Sequence, residues 1–485
     1  MTAVLDILEA PFGESHGPML TGTYAPVATE VVIDDFQIEG EIPKDLNGVY
    51  LRNGPNPRWK PKGGYHMFDG DGMIHAAEFR NGKLSYRNKW VNTEAFLKNQ
   101  ESGAENHWSV LASVKDSKEH PMANTANTDI IGHGGVAVAT WYLAGIPYLI
   151  DPITLETIKA APEYVSGPGN GMSAHCKVDE QTGDLMFFDY FTEKPHMSYG
   201  VVNAERELVH FVPVEIPGER LMHDMGITEN YSILHDVPVY HDEGALMAGR
   251  HKVRFDSSLN TRFGVIPRFG AEDSIKWFEF TPCFIYHVVN CWEEGDEVVQ
   301  VICRFMPVTK DDGSIDDEAT AKMIAHLHMN TRLWEYRMNM KTGECSEKCL
   351  NNQFNVEFPS NNAWYTGRRS EWGYVVDHHP KLVKWTGIRK MNLFTGESVA
   401  SWSDDLEHCW YSEPWFASAD NPQSEDHGYI VAYCWNEKSK EQQLQIFDAQ
   451  KIDSGPITRI KMDHRVPSGF HGCWMKSNQI ANWNH

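Results

Sequence analysis

Four of the 23 histidines in this 485-residue chain share one local setting. A small or apolar residue precedes each, the segment around it is β-type, and a polar or acidic turn lies nearby. They are His175 in GMSAHCK, His223 in RLMHDMGIT, His287 in FIYHVVNCWEEG and His471 in SGFHGCW. Separations of 48, 64 and 184 residues exclude a finger-type site, whose ligands come from one hairpin and one helix. An all-imidazole shell supplies borderline nitrogen ligands without negative charge, so a bound divalent ion keeps its full charge and Lewis acidity. In octahedral geometry such a shell leaves positions open for dioxygen or water. Taken singly, each of these histidines reads more readily as a surface or hydrogen-bonded core residue.

An imidazole that ligates through one ring nitrogen normally donates from the other to a carboxylate or carbonyl, which fixes its tautomer. Glu357 in NVEFP and Glu413 in YSEPWF sit in otherwise apolar or aromatic surroundings, where a bare carboxylate is costly to bury. Both are candidates for that role, although each reads equally well as an exposed Glu at a strand end. Two histidine pairs are set aside because neither lies in a segment like those of the four. His326 and His328 in AHLHMN alternate as on one strand face, and His378 and His379 point oppositely if extended. Cys345 and Cys349 are close enough for a zinc or redox hypothesis, but no second pair follows, and structural zinc normally takes four ligands.

Residues this far apart need a scaffold that returns repeatedly to one place. Very little of the sequence reads as helix. From Val49 onward, short segments rich in Val, Ile, Tyr, Phe and Trp are broken by Gly, Asn, Asp and Pro, the pattern of consecutive hairpins in an all-β chain. One unit recurs, a strand, a polar turn close to T-G-E, and a second strand. It appears as YLIDPITLETIKA from Tyr148, EYRMNMKTGECSEK from Glu335, IRKMNLFTGESVASW from Ile388 and LQIFDAQKIDSGPITRIKM from Leu444. MIHAAEFRNGKLSYRNKW from Met73 adds a hairpin with an Asn-Gly turn. Hairpins at such intervals suggest β-propeller blades, too unevenly spaced for a WD40 or kelch array. The innermost strand of each blade runs along the propeller axis, so single residues from several blades can face a common atom. Closure of the ring requires the terminal segments to pair, which favours one domain over residues 1–485. The irregular stretches 98–123, 238–271 and 309–325 are expected as insertions that cap the channel mouth, or as solvated loops.

Composition narrows the partners. With 41% hydrophobic, 12% aromatic and 23% charged residues the chain is a folded globular protein. A net charge of −24 without a basic stripe should repel phosphate backbones and anionic lipid, so no nucleic-acid partner is expected. The first thirty residues carry no basic region followed by an apolar core, no apolar run nears the roughly 20 residues that span a bilayer, and the nine scattered cysteines read as reduced thiols. A cytoplasmic location is the expectation.

Together, these segments resemble the carotenoid cleavage oxygenase family, which includes stilbene-cleaving and isoeugenol-cleaving members. The resemblance spans nearly the whole sequence, through IEGEIPKDLNGVYLRNGPNP, FDGDGMIHAAEF, ANTANTDII, the SAH segment, MHDMGIT, KWFEFTPCFIYHVVNCWEEG, VEFP, SEPWF and LQIFDAQKIDSGPITRIKMDHRVPSGFHGCW. It implies a seven-bladed propeller with a loop and helix cap over a central iron(II). The metal is then bound by the residues matching the family's four histidines, His175, His223, His287 and His471, and Glu357 and Glu413 match two of three supporting glutamates. The third departs: the family's Glu lies four residues before the Pro of the segment written GIPY here, and Leu143 stands there. One ligand histidine is therefore expected to rely on a carbonyl or water. The residue before it, a lysine that contacts the phenolic oxygen in the stilbene- and isoeugenol-cleaving branch, is Tyr142. A tyrosine hydroxyl hydrogen-bonds a phenol but supplies no positive charge to a phenolate. RNGPNP and VPSGFHG look more like carotenoid-type members.

The expected reaction is cleavage by dioxygen of a conjugated carbon–carbon double bond to two carbonyl products, most directly on a carotenoid or apocarotenoid. A phenylpropanoid or stilbenoid alkene is the alternative. No nicotinamide, flavin or nucleotide motif is present, and FDGDGM lacks the strand-turn-helix context of a phosphate loop. Phe68, Tyr142, Trp292 and Trp364 are candidates for an aromatic substrate tunnel, competing with blade packing. His107 to Val114, with Trp108, Val110 and Leu111, is a candidate for transient membrane contact. Two other classes compete: a propeller hydrolase or lactonase using calcium or zinc, which predicts oxygen ligands, and a non-catalytic scaffold. Oligomeric state is left open.

Overall fold

The computed structural model describes residues 18–62, 64–110, 123–242, 244, 253–379 and 383–484. The recurring hairpin is built by one polar side chain at the end of its first strand. Asn339 Oδ1 accepts the N–H groups of Lys341 and Thr342 at 2.9 and 2.8 Å, Asn392 Oδ1 those of Phe394 and Thr395 at 3.0 Å, and Asp151 Oδ1 those of Ile153 and Thr154 at 2.8 and 2.9 Å. The turn then closes on a residue of positive φ, Gly343, Gly396 or Leu155, whose N–H returns to the carbonyl of that Asn or Asp. Such Asx turns satisfy backbone donors that the ladder leaves over. At Asn81-Gly82 both residues have positive φ and Arg80 faces Lys83, the two-residue turn that matches strand twist.

These hairpins assemble into seven antiparallel sheets of four or more strands among the described residues, the blades of an all-β propeller. The chain divides into two compact units. The unit drawn from residues up to Pro162 and again from Ser403 holds three sheets. In one, Gly48–Pro55 lies between Gly72–Arg80 and Gly472–Lys476; in another, Gln37–Gly40 pairs with Thr458–Met462. Segments from the two ends of the chain therefore share two sheets, as ring closure requires. The third is the meander Asp129–His133, Val136–Thr140, Tyr148–Ile150 and Thr157–Ala160.

The other unit, Glu163–Asp242 and Lys252–Trp402, holds the other four of the seven, which begin with Lys177–Val178, Gly226–Ile227, Phe284–Glu294 and Val356–Ser360. Each of these first strands lies at an edge of its sheet. The insertions turn out differently from one another. Glu94–Ser102 and Asp317–Ala325 are the described helices near two of them, capped by Thr93 and Asp316. The stretch 238–271 is not simply an insertion: Thr261–Pro267 is a central blade strand paired with Tyr231–Asp236 and Lys276–Phe280. It is buried along most of its length, from Phe263 to Ile266 without a break, so it has no alternation to mark it as a strand, and it contains Gly264 and ends at Pro267. Residues 111–122, with Leu111 to Val114 of the proposed membrane-contact stretch, lie outside the described residues. No described helix is long and apolar enough to cross a membrane.

The FDGDGM segment is a packing motif. A Cβ on Gly72 would stand 2.6 Å from the Thr125 carbonyl oxygen, and one on Gly54 of RNGPNP 2.7 Å from the Cα of Gly469 in VPSGFHG, so these motifs are spelled by backbones in contact. Between the glycines, burial pushes the Asp71 carboxyl up to about 7, with Arg58 N–H donating to it at 3.0 Å, and Asp69 up to about 6. Both carboxyls hold their protons more tightly folded than unfolded, where Asp ionises near pH 4. Their contribution to stability is full below about pH 4 and is lost as pH rises through about 6 to 7. Asp71→Asn is therefore expected to be more stable than the parent chain at pH 8, and the advantage to shrink by roughly 2–3 kcal/mol at pH 5. Thermal unfolding at both pH values measures this; an advantage independent of pH refutes it.

Candidate metal centre

His287 lies in the edge strand Phe284–Glu294, whose pairing slips on either side of it, between Ile285 and His287 and between Val288 and Asn290. Paired bulges re-aim a side chain out of the regular alternation. Glu357, on the neighbouring edge strand Val356–Ser360, is fully buried, and its Oε2 takes the Nδ1–H of His287 while also accepting Phe358 N–H at 2.6 Å. That sheet too is irregular after Glu357, and Phe358 has φ of 47°. His175 is another non-glycine residue held at positive φ, 62°. Conformations of this kind cost energy and persist where surrounding contacts impose them. The Nε2 atoms of His175 and His223 are 3.1 Å apart, and the rings of His175, His223 and His287 stand 4.7 to 5.3 Å from one another.

One residue that the sequence reading passed over ties these three segments together. Asp224 follows His223 and is buried; its Oδ1 meets Lys177 Nζ at 2.7 Å and accepts Met225 N–H at 2.7 Å, and its Oδ2 accepts the N–H of Val288 at 2.6 Å. Lys177 stands two residues after His175, and Val288 directly after His287. A single carboxylate thus binds all three histidine-bearing segments. Burial raises the Asp224 pKa, and the Lys177 ammonium opposes that rise. The sequence signal was the acidic neighbour in MHDMGIT, which reads as an ordinary polar turn until its partners are known.

His471 immediately precedes the edge strand Gly472–Lys476, and its Nδ1–H donates to Glu413 Oε1 at 2.9 Å. Glu413 occupies the break between Cys409–Tyr411 and Trp415–Ser418, which pair in succession with Gly428–Asn436. Its Oε2 accepts Gly472 N–H at 2.8 Å and the Trp415 indole N–H at 2.6 Å. A buried carboxylate with three donors needs no further partner.

His175, His223, His287 and His471 form one group: each offers a ring nitrogen, and these nitrogens all lie within 4.8 Å of one another. Because Nδ1 of His287 and of His471 is spent on a glutamate, their Nε2 atoms carry the lone pairs. Four such donors, two of them held by buried carboxylates, fit a divalent transition-metal ion. His326 and His328 are exposed, and the buried His378 gives its Nδ1–H to the His379 carbonyl at 2.7 Å, its pKa lowered by burial to about 4; neither pair joins the group.

The tunnel candidates separate. Phe68 and Tyr142 pack at a tilt of 37° with centroids 4.4 Å apart, and Phe68 lies 5.5 Å from Phe470, the neighbour of His471. Trp292 is instead packed in a blade core with Val289, Val299 and Val375 and donates its indole N–H to Glu294; Trp364 is half exposed. Large rings at those two positions serve packing and surface, so neither is placed with the histidines. Aromatics missed by the sequence reading flank the group: Tyr286 lies 4.9 Å from His223, and Phe358 4.8 Å from His287. Trp108, Ser109 and Val110 of the proposed membrane-contact stretch are occupied locally, the indole with Lys62 and the other two with the Asp69 carboxylate.

Comparison with known proteins gives the site its class. The family model described as retinal pigment epithelial membrane protein matches residues 24–476. A carotenoid 9,10(9',10')-cleavage dioxygenase of Pisum sativum is 31% identical over 95% of this chain and 90% of its own. Isoeugenol monooxygenase of Pseudomonas nitroreducens is 30% identical over 95% of this chain and 98% of its own. The crystal structure of Pseudomonas brassicacearum lignostilbene dioxygenase matches with a TM-score of 0.84 at 26% identity, covering 96% of this chain and 99% of that one. The propeller with its histidine group is that of an oxygenase that cleaves carbon–carbon double bonds, with dioxygen and an alkene as its reactants. The chain belongs to the carotenoid cleavage oxygenase family. A propeller hydrolase or a non-catalytic scaffold is thereby set aside.

Glu357→Gln is expected to weaken divalent-metal binding about 10- to 100-fold, as loss of a carboxylate behind a ligand does, and Asp224→Asn to weaken it as well by loosening the backbone of the histidine segments. Calorimetric titration of the metal-free protein with cobalt(II) measures this. Affinity equal to that of the parent chain rules out the roles given to these carboxylates.

Proposed function

We propose that this chain uses iron(II) and dioxygen to cleave one conjugated double bond of a carotenoid or apocarotenoid into two carbonyl products. The donor set carries the reading: four neutral imidazoles whose ring nitrogens converge within 4.8 Å, with no anionic group among them. Ferrous iron held there supplies a redox-active Lewis acid for the activation of dioxygen. The electrons come from the conjugated alkene itself, in keeping with the absence of an organic-coenzyme motif from the sequence.

The protein's own part is positioning and exclusion of water. Glu357 and Glu413 hold His287 and His471 as Nδ1–H tautomers, so that their Nε2 lone pairs stay aimed at one point. Tyr286, Phe358 and Trp385 build an aromatic wall in which Phe358 lies tilted to His287 at 4.8 Å and edge-on to Trp385 at 4.7 Å. The Phe68–Tyr142 pair offers flat apolar faces to a polyene, and selecting the bond that reacts is then a matter of how far the chain slides along them. At Tyr142 the neutral hydroxyl favours an uncharged substrate end over a phenolate.

A phenylpropanoid or stilbenoid alkene cleaved to an aromatic aldehyde such as vanillin is the second reading. It is supported by the isoeugenol- and lignostilbene-cleaving relatives, which match this chain over nearly their whole length.

Protein purified anaerobically and loaded with iron(II) is to be incubated with apocarotenals, stilbenoids and 4-vinyl or propenyl phenols, and the aldehydes identified by mass. Polyene cleavage is expected, with Tyr142→Lys raising kcat/KM toward the ionised phenols about tenfold through a charge-assisted contact. Cleavage of phenolic substrates alone overturns the substrate assignment, and full activity without iron overturns the metal.

A further inference from the structure

Away from the histidines, the edge strand Cys409–Tyr411 pairs with Gly428–Asn436 in the register Cys409 to Asn436 and Tyr411 to Cys434. Cys409 and Cys434 are therefore diagonal neighbours on one face of the sheet. Their sulfurs and a carboxylate oxygen of Asp404 all lie within 4.8 Å of one another. Both thiols are buried, at 1% and 3% exposure, whereas Asp404 reaches the surface, so the cluster has a polar entrance and a dry floor. We propose that Cys409, Cys434 and Asp404 form a binding site for a thiophilic divalent cation of the zinc class.

Polar neighbours contact all three donors. Asn436 Nδ2–H donates to Cys409 Sγ at 3.6 Å. Tyr411 oxygen accepts the Asp404 backbone N–H at 3.0 Å, which leaves the hydroxyl proton for its hydrogen bond to Cys434. Asp404 is itself held by Arg459 at 2.5 and 2.6 Å and by Gln445 Nε2 at 2.7 Å, the supporting contacts that a ligating carboxylate takes. Two thiolates and the Asp404 carboxylate, less the Arg459 charge, carry the charge that one divalent cation cancels.

A disulfide satisfies this geometry less well. Diagonal cross-strand neighbours sit roughly 7–8 Å apart, beyond the usual Cα span of about 4.4–6.8 Å for a disulfide. Two sulfurs at about 2.3 Å from a tetrahedral zinc stand about 3.8 Å apart, a spacing the pair reaches with side-chain movement alone. Softness also separates this site from the histidine group, since thiolates select zinc-class cations more strongly than imidazoles do. Cys409 stands four residues before Glu413 in the chain. A cation here would staple the Asp404 turn to the strand that leads to the glutamate holding His471.

Iron-loaded protein given one equivalent of zinc(II) is to be studied at the zinc X-ray absorption edge, which is blind to iron in the histidine group. Sulfur scatterers at about 2.3 Å are expected, retained in Cys345→Ser/Cys349→Ser, which removes the more accessible thiols, and lost in Cys409→Ser/Cys434→Ser. Asp404→Asn should weaken zinc binding at least tenfold by competition with a chromogenic chelator. Only nitrogen and oxygen scatterers in the parent protein overturn the proposal, as does sulfur scattering that disappears with Cys345 and Cys349. A Cys409–Cys434 disulfide whose reduction restores no zinc uptake also overturns it.

Discussion

Lone pairs on imidazole nitrogens that converge within 4.8 Å repel one another unless a proton or a cation lies among them. The rest of the fold is arranged around holding them in that state. An isolated ring turns about two torsions and seeks water; these rings are fixed by carboxylates buried deeply enough that rearrangement would strand a charge. A buried hydrogen bond to a carboxylate is worth about 1.5–3 kcal/mol. Glu357 and Glu413 hold the rings of His287 and His471 in this way, while Asp224 touches no imidazole and instead ties the Val288 N–H and the Lys177 ammonium to the His223 segment. Orientation and burial are therefore one device: the carboxylate cannot leave its histidine segment without losing donors that nothing else supplies.

The backbone carries the complementary load. In regular strands alternate side chains would face opposite sides, and no two successive functional groups could be aimed freely. The structure breaks that rule at the site, with bulges flanking His287, an irregular pairing after Glu357, positive φ at His175 and Phe358, and an interrupted edge at Glu413. The blade hairpins away from the site close on Asx turns and left-handed residues and carry single register shifts of their own. At His287, Glu357 and Glu413 the irregularity falls on edge strands, where one side has no ladder to lose.

This division explains what the sequence disclosed. Hairpins were legible because alternation and turn residues are local signals, and the four histidine segments because each couples an apolar strand to a polar turn. Leu155 shows the limit: it occupies the left-handed position that glycine takes in two sister turns, held there by the Asp151 cap rather than by its own preference. Asp224 was hidden because its meaning lies in Lys177 and Val288, far along the chain. Thr261–Pro267 was mistaken for part of an insertion because it is buried on both faces, without the alternation that marks a strand, and carries a glycine and a proline. Trp292 and Trp364 were over-read, since an aromatic at a strand end is as useful to a blade core or a surface as to a cavity. The juxtaposition of Cys409 and Cys434 depends on register, which spacing alone does not reveal.

Charge gives the most economical account of the departure at Leu143. Asp224 is balanced by Lys177, and the buried Asp179 by Arg268 and Arg368, both at short range. The carboxylates left to compensate a divalent cation are Glu357 and Glu413, one negative charge each, delivered through imidazoles rather than by direct ligation. Two such charges would balance a doubly charged ion held by the four imidazoles. Leu143 adds no third, and Tyr142 beside it brings a neutral hydroxyl rather than a cation, so these two positions leave that balance unchanged.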